Sequence, residues 1–160
     1  MSIRVGNGFD VHKLGNGNEL ILCGIRIPHT KTLIGHSDAD VAMHAVTDSI
    51  LGALAEGDIG THFPPTDLKW KHANSEIFLK KAVFLMKQKY YSIGNLDITI
   101  ICETPKISTF SLAMKTNIAR LCGAEINQIS VKGTTTERLG FTGRNEGIAS
   151  LATVLIKTNE

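Results

Sequence analysis

Cysteine and long apolar runs are both scarce in this sequence. Its 160 residues contain only three cysteines, Cys23, Cys102 and Cys122, and no two of them are spaced as C-x-x-C. An odd number of widely separated cysteines excludes a disulfide scaffold and is typical of reduced thiols. No stretch approaches the roughly 20 apolar residues that a transmembrane helix needs, and residues 1–11 lack the apolar region of a signal peptide. We therefore predict a cytoplasmic protein with no membrane partner.

The chain also lacks a large excess of either positive or negative charge. The chain has 17 lysines and arginines against 15 aspartates and glutamates, a formal net charge of +2, and the basic residues are dispersed. This distribution provides no basic patch for nucleic acid, so we expect no nucleic-acid partner. A chain of this length, with 42% hydrophobic residues, predicts one domain over residues 1–160. Such a domain folds without a disulfide or a structural metal, so a metal site here would serve another purpose.

Proline is rare as well, and the four prolines lie at the edges of apolar segments, where they do not disrupt an element. The periodicity between these breaks predicts strands at residues 3–12, 20–23, 25–27, 96–102, 129–136 and 147–157, and helices at 35–54, 74–91 and 108–121. We expect a loop at 58–67, with Gly94 and Asn95 closing the second helix and Gly123 following the third. The strand-helix-strand passages predict an α+β fold, a two-layer α/β sandwich in which a mixed sheet packs against helices.

The pair Asp10 and His12 is the first candidate for chemistry. Alternate residues of a strand point to the same face, so the carboxylate and the imidazole should lie side by side. In the next helix Asp40, His44 and Asp48 are spaced at i, i+4 and i+8 and form one polar stripe among small and apolar residues. Asp10, His12 and His44 would supply the oxygen and nitrogen ligands of a catalytic zinc, with a fourth position open. On spacing alone, histidines satisfied by ordinary hydrogen bonds are an equal alternative.

His36 and residues 132–144 are candidates for binding anions. His36 precedes Ser37, the expected helix N-cap, where main-chain N–H groups and the helix dipole favour an anion, although helix entry alone would also explain it. Residues 132–144 combine threonines, glycines and basic residues that can hold phosphate oxygens, and Glu137 could bind a hard divalent cation. The alternative is a capping box with ordinary turns, and the spacing is not that of a P-loop. The loop at residues 58–67 could contact a diol or a nucleotide, or be a solvated connection.

Motifs in series extend this interpretation to the whole chain. They are GFDVH at residues 8–12, HSDAD at 36–40 leading to His44, DIG at 58–60, TTTE at 134–137 and GFTGR at 140–144. In this order and spacing they resemble the 2-C-methyl-D-erythritol 2,4-cyclodiphosphate synthase family. The resemblance implies a homotrimer with active sites between adjacent subunits. It also implies a lyase of non-mevalonate isoprenoid biosynthesis, which converts 4-diphosphocytidyl-2-C-methyl-D-erythritol 2-phosphate into the cyclic 2,4-diphosphate and CMP.

The resemblance further implies a role for each matching residue. The zinc ligands would be Asp10, His12 and His44. Glu137 would bind a second divalent cation, magnesium or manganese, and His36 and Thr135 would stabilise the transition state. The cytidine diphosphate-linked substrate would be contacted by Ser37, Asp48, Asp58, Ile59, Gly60, Phe63, Asp67, Cys102, Glu103, Thr104, Pro105, Lys106, Lys132, Thr134, Thr136, Phe141 and Arg144.

Two positions depart from the family pattern. Pro65 stands where many members have an aspartate, and this difference bears on a carboxylate contact in that loop. Asn145 replaces the glycine that is common between Arg144 and Glu146, and this difference bears on the geometry of that turn.

Two other functions stay open at this point. A metal-dependent phosphohydrolase could use the same Asp, His, His site with water as the nucleophile. A non-catalytic trimer could bind an isoprenoid diphosphate in the apolar cavity that members of the family have on the threefold axis, with Phe9, Arg144 and Glu146 as candidates to line it. A structural zinc site is disfavoured, because such sites take four protein ligands and the sequence offers no obvious fourth.

Overall fold

The computed structural model describes residues 2–158. In chain order the strands are β1 (Ile3–Asn16), β2 (Glu19–Leu22), β3 (Ile25–Pro28), β4 (Lys31–Ile34), β5 (Tyr91–Ile101), β6 (Ile129–Thr134) and β7 (Gly147–Thr158). The helices are α1 (Val41–Leu54), α2 (Ile59–His62), α3 (Glu76–Gln88), α4 (Ser111–Cys122) and α5 (Gly140–Gly143). Short 3₁₀ turns lie at Leu68–Trp70, Ile107–Thr109 and Ile126–Gln128.

The main sheet has the strand order β4-β1-β7-β5-β6. β5 and β6 run parallel because α4 carries the chain back between them, whereas the other neighbouring strands pair antiparallel. β2 and β3 form a separate hairpin whose turn at Cys23 and Gly24 has positive φ at both residues. α1 packs across β1 and β7, α3 packs beside α1, and α4 packs against α3 and β6. The predicted α+β fold, with a mixed sheet packed against helices, is confirmed.

Two glycines of β1 allow α1 to lie directly on the sheet. A Cβ added to Gly6 would stand 1.8 Å from the carbonyl oxygen of Ser49, and one added to Gly8 would stand 1.9 Å from that of Ala45. Because any side chain at these positions would collide with helix backbone, glycine is required for this close approach. The two glycines therefore set the distance between β1 and α1.

The opposite face of the sheet is apolar and uncovered in the single chain. β1 presents Val5, Phe9 and Val11 on this face, and β7 contributes Leu151, which pairs with Phe9 in the strand register. Their exposed fractions are 64%, 54%, 38% and 37% in that order. We call this group, Val5, Phe9, Val11 and Leu151, the outer sheet face. The polar pair Asn7 and Thr153 lies on the same face between Val5 and Phe9. An exposed apolar surface of this kind is typical of a contact between protein molecules.

The first two helices differ from the predicted bounds. α1 begins at Val41 rather than residue 35, because Ala39 has a positive φ of 57° and Asp40 accepts the N–H of Met43 at 2.9 Å. Asp40, and not Ser37, is therefore the N-cap. α3 ends at Gln88 rather than residue 91, since Tyr90 has a φ of 61° and turns the chain into β5. The three residues predicted as one polar stripe differ in role, because Asp40 caps the helix whereas His44 and Asp48 lie within it.

Smaller differences lie in the strands and loops. Gly94 and Asn95 do not close a helix but lie inside β5, where the pairing with β7 shifts register between Ile93 and Asn95. The loop predicted at 58–67 contains the short helix α2, and the four-residue edge strand β4 was not predicted. Gly123 ends α4 in the left-handed conformation, as predicted. Over residues 2–158, the structure contains no helix that is long and apolar enough to cross a membrane.

Candidate active site

Three side chains that can bind a metal meet where α1 crosses β1. Asp10 and His12 lie on the side of β1 that faces the helix, and His44 lies in the first turn of α1. Asp10 Oδ2 is 2.9 Å from His12 Nε2 and 3.0 Å from His44 Nδ1, and the two nitrogens are 3.1 Å apart. Among the residues that the structure describes, this is the one group of three or more His, Cys, Asp or Glu side chains placed to hold a metal ion.

The hydrogen bonds behind the two imidazoles suit metal binding. His12 Nδ1 lies 3.2 Å from the carbonyl oxygen of Ile34, to which it can donate, so that Nε2 is left with its lone pair. His44 Nε2 lies 2.8 Å from Ser75 Oγ and 3.0 Å from Ser37 Oγ, on the side away from Asp10. One carboxylate oxygen and two imidazole nitrogens form a donor set that zinc takes in catalytic sites. The residues present therefore fit the implied metal.

Asp10 and His12 shift each other's protonation. Burial favours the neutral form of Asp10, but hydrogen bonds and charges from His12 and His44 outweigh burial and hold the pKa of Asp10 well below its usual range. Burial likewise opposes the charged form of His12, yet the hydrogen bond and charge of Asp10 raise the pKa of His12 above its usual value. The cluster thus presents a carboxylate at neutral pH, which attracts a cation.

A cleft of about 180 Å³ opens beside the cluster. It is lined by His12, His36, Ser37, His44, Ile59, Gly60, Phe63, Pro65, Trp70 and Phe78. Phe63, Trp70 and Phe78 form an aromatic wall, with ring centroids 4.9 Å apart for Phe63 and Trp70 and 4.6 Å apart for Phe63 and Phe78. The structure therefore brings predicted catalytic and substrate-binding residues, among them His36 and Ser37, to the metal-ligating cluster.

Three predicted carboxylates shape the loop at the mouth of this cleft. Asp48 Oδ1 accepts the N–H of Ile59 at 2.8 Å, which ties α2 to α1. Burial raises the pKa of Asp48, and the N–H of Ile59 opposes that rise. Asp58 caps α2 by accepting from both N and Oγ1 of Thr61, and Asp67 accepts the N–H of Lys69 at 3.1 Å. These aspartates hold the loop in place through its own backbone.

A second cleft, of about 460 Å³, lies between β5, β6 and the 3₁₀ turn that follows β5. It is lined by Cys102, Glu103, Pro105, Lys106, Ile107, Ser108, Gly133, Thr134 and Thr135. Thr104 lies within the same segment, and its hydroxyl is 3.1 Å from His29 Nε2. Glu103 Oε1 accepts the N–H groups of Thr136 and Arg138, so its carboxylate fastens the threonine loop. The two clefts have no lining residue in common.

The remaining predicted residues line neither cleft in the described chain, and four of them have side-chain partners of their own. Lys132 forms an ion pair with Asp97 across β5 and β6. Thr136 donates to the carbonyl oxygen of Leu139 at 2.6 Å, and Glu137 accepts from Thr135 Oγ1 at 3.1 Å. Arg144 donates to both carboxylate oxygens of Glu146, at 2.9 and 3.1 Å, and Phe141 is partly exposed beside them. Glu137 is not part of the three-residue metal cluster.

The sequence interpretation missed several residues that shape the site. Ser75 contacts His44, and Asp38 contacts Ser75, while Trp70 and Phe78 complete the aromatic wall. Ser75 was recognisable only as a helix N-cap and Phe78 only as part of an apolar helix stripe. Their role depends on how α3 packs against α1, which no local pattern encodes.

Comparison with known proteins agrees with this architecture. The sequence matches the YgbB family over residues 3–157. A protein named 2-C-methyl-D-erythritol 2,4-cyclodiphosphate synthase from Roseobacter denitrificans is 58% identical over 156 residues, which are 98% of each chain. A solved structure of Plasmodium falciparum IspF, described as a CDP complex, superimposes with a TM-score of 0.88 at 40% identity and covers 99% of this chain and 98% of its own.

Some relatives are much longer. The bifunctional enzyme IspD/IspF of Ruegeria pomeroyi is 57% identical over 156 residues, which are 98% of this chain but 41% of that protein. The chain thus spans about two-fifths of the length of the bifunctional relatives that it matches. The family match extends over residues 3–157, and the Roseobacter denitrificans relative is 58% identical over 98% of its own length. The chain therefore belongs to the YgbB family.

Proposed function

We propose that this chain, over residues 1–160, is a 2-C-methyl-D-erythritol 2,4-cyclodiphosphate synthase. It would convert 4-diphosphocytidyl-2-C-methyl-D-erythritol 2-phosphate into the cyclic 2,4-diphosphate and CMP. The observation that carries the proposal is the cluster of Asp10, His12 and His44 at the edge of a cleft that also contains His36 and Ser37. The name of the full-length relative supports the same activity.

The reaction requires no side-chain nucleophile. An oxygen of the 2-phosphate attacks the β-phosphorus of the same molecule, and the bond from the β-phosphorus to the oxygen shared with the α-phosphorus breaks. CMP leaves with the electron pair of that bond. Since both reacting groups are anionic, the protein must bring them together against their repulsion, and catalysis rests on positioning and electrostatics.

The first cleft suits the methylerythritol end of this substrate. Asp58 and Gly60 lie on the loop at its mouth, and we assign them to the diol and the sugar-like carbons. His36 and Ser37 can donate to phosphate oxygens from the same side as the metal cluster. The wall of Phe63, Trp70 and Phe78 gives this cleft an apolar side that limits access of water to the reacting phosphates.

We assign zinc to the Asp10, His12 and His44 cluster, because the donor set and the open side of the cluster match those of catalytic zinc. A metal at this position supplies Lewis-acid polarisation of a phosphate oxygen. Glu137 would hold a second divalent cation, magnesium or manganese, with Thr135 beside it as a hydrogen-bond donor. The second cleft, with Thr134 and Lys106, would hold the cytidine diphosphate part.

A homotrimer would join the two halves of this site. The two clefts share no lining residue within the described chain, so a substrate that needs both is best held between subunits. The outer sheet face is an apolar surface that a second copy of the chain could cover. Both observations favour a working unit in which adjacent subunits each supply one half.

A charge on the outer sheet face should therefore break the assembly. We expect Leu151→Glu to convert a species of three chain masses into one of a single chain mass, measured by light scattering after size exclusion, and to lower turnover with it. Burying an unpaired carboxylate in an apolar contact is unfavourable by several kcal/mol. Phe84→Glu is the matched control, because Phe84 is 52% exposed on α3, away from this face. A trimeric, active Leu151→Glu variant would contradict the assignment of this face.

The activity itself can be tested by phosphorus NMR of the purified protein with the cytidyl substrate and magnesium. We expect CMP and the cyclic diphosphate to appear together in equal amounts. Release of CMP with a linear methylerythritol bisphosphate would indicate a phosphohydrolase instead. An unchanged spectrum would indicate a binding protein, for which isoprenoid diphosphates are the candidate ligands. Full turnover after exhaustive chelation would contradict the metal assignment.

A further inference from the structure

The orientation of His44 depends on a hydrogen bond that does not involve the metal cluster. Neutral imidazole carries one N–H donor and one acceptor nitrogen. Nδ1 of His44 faces Asp10 and His12, so it can bind a metal only when the ring proton is on Nε2. The acceptor nearest Nε2 is Ser75 Oγ at 2.8 Å.

Ser75 is placed as an acceptor by Asp38. Ser75 Oγ donates to Asp38 Oδ1, and the main-chain N–H of Ser75 donates to Asp38 Oδ2 at 3.0 Å. Because the hydroxyl proton is committed to the carboxylate, the oxygen offers its lone pair to His44. Ser37 Oγ also lies near Nε2, but its hydroxyl can point either way and does not select a tautomer.

Ser75 carries a sign of this role in its local structure. It stands at the N-cap of α3, where serine usually accepts from a main-chain N–H of its own helix. The Ser75 side chain makes no such capping bond. It is fully buried, and its hydroxyl is directed away from its helix toward Asp38 and His44.

We propose that Asp38 and Ser75 are positioning residues, which hold the proton of His44 on Nε2 and thereby keep Nδ1 available to the metal. The inference rests on the proposed metal site, and it adds the second layer of residues that sets the site's affinity. Residues of this layer characteristically change metal affinity by about 10-fold to 100-fold when they are replaced. Neither side chain would touch metal or substrate.

Two substitutions test the two links separately. Ser75→Ala removes the nearer of the two hydroxyl groups at Nε2, which is the one whose own proton Asp38 holds. Asp38→Asn weakens the acceptor of the Ser75 hydroxyl proton, because a neutral amide oxygen holds that proton less strongly than a carboxylate does, and the hydroxyl is then freer to donate to Nε2. We expect each to weaken Zn²⁺ binding by about 10-fold to 100-fold in competition with a chromogenic chelator. Ser49→Ala is the matched control, because Ser49 is equally buried and its hydroxyl donates to Val46 O within α1.

The stability of the metal-free protein separates positioning from a merely structural tie between the 36–38 segment and α3. A structural role would lower the unfolding midpoint of metal-free Ser75→Ala while leaving Zn²⁺ affinity unchanged, and that result would overturn the proposal.

In the zinc-loaded wild type we also expect a downfield, slowly exchanging His44 Nε2–H resonance in the proton NMR spectrum, and we expect Ser75→Ala to lose it. If one variant does not fold, the other decides alone. A wild type that binds no Zn²⁺ would refute the metal site itself, whereas normal binding with unaffected variants refutes only this inference.

Discussion

Gly8→Ala is expected to destabilise the protein by about 3 kcal/mol or more, the upper range for overpacking, and to impair Zn²⁺ binding as well. The added methyl group would stand 1.9 Å from the carbonyl oxygen of Ala45 and 2.9 Å from the main-chain nitrogen of Ser49. Both atoms belong to the backbone of α1, so no side-chain rotation can relieve the collision. The helix must move away from β1, and His44 moves with it, away from Asp10.

Denaturant unfolding followed by circular dichroism measures the loss, and Gly52→Ala is its matched control. Gly52 lies in α1 itself, and the nearest atom to its added Cβ is Asn7 O at 3.7 Å. Alanine there should stabilise by about 0.5–1 kcal/mol, because glycine is a poor helix residue. A Gly8→Ala protein as stable as the wild type would show that α1 does not depend on this close contact.

His44→Ala is expected to remove bound zinc and activity together while the chain still folds. Two ligands remain, Asp10 and His12, and a zinc site with two protein ligands is far weaker than one with three. Lewis-acid stabilisation is worth several kcal/mol, so turnover should fall on the order of 10³-fold. The fold should survive because His44 lines the first cleft and both of its ring nitrogens face polar side chains, so its truncation enlarges an existing cleft rather than the apolar core.

Metal content and turnover must be measured on the same preparation. His62→Ala is a control for metal content, since His62 contacts the carbonyl oxygen of Glu56 and is not one of the three residues of the metal cluster. We expect it to retain a full complement of zinc, and we expect circular dichroism of His44→Ala to match the wild type. A His44→Ala protein that keeps its zinc would exclude this histidine as a ligand.

The sequence predicted the elements better than their ends. Periodicity together with the turn residues Gly24 and Gly123 located the β2–β3 pair, α4 and the mixed sheet. It misplaced the start of α1 because the left-handed residue Ala39 is an alanine, a residue that carries no turn signal. It missed β4 because a four-residue edge strand derives its pairing from β1 rather than from its own composition.

The candidate site, like the fold, could be predicted only in part from the sequence. Asp10 and His12 follow from the period of a strand, but their distance to His44 depends on the packing of α1 over the glycines of β1. Ser75 lies 31 residues from His44 in the chain, and only the packing of α3 brings the two together. Sequence motifs therefore predicted the residues of the three-residue cluster, whereas Ser75, which contacts that cluster, could be found only in the three-dimensional arrangement.

β1 places two different surfaces on one strand. Its even-numbered residues include Gly8, Asp10 and His12 and face α1, while odd-numbered residues such as Phe9 and Val11 form part of the outer sheet face. The number of residues in β1 is therefore as important here as their identity, because it decides which face each side chain occupies. Inserting one residue within β1 would turn the apolar side chains toward the metal cluster and the metal ligands outward, and it would do so for every position beyond the insertion. Substitutions in this strand act locally, but a change in its length by one residue exchanges both surfaces together.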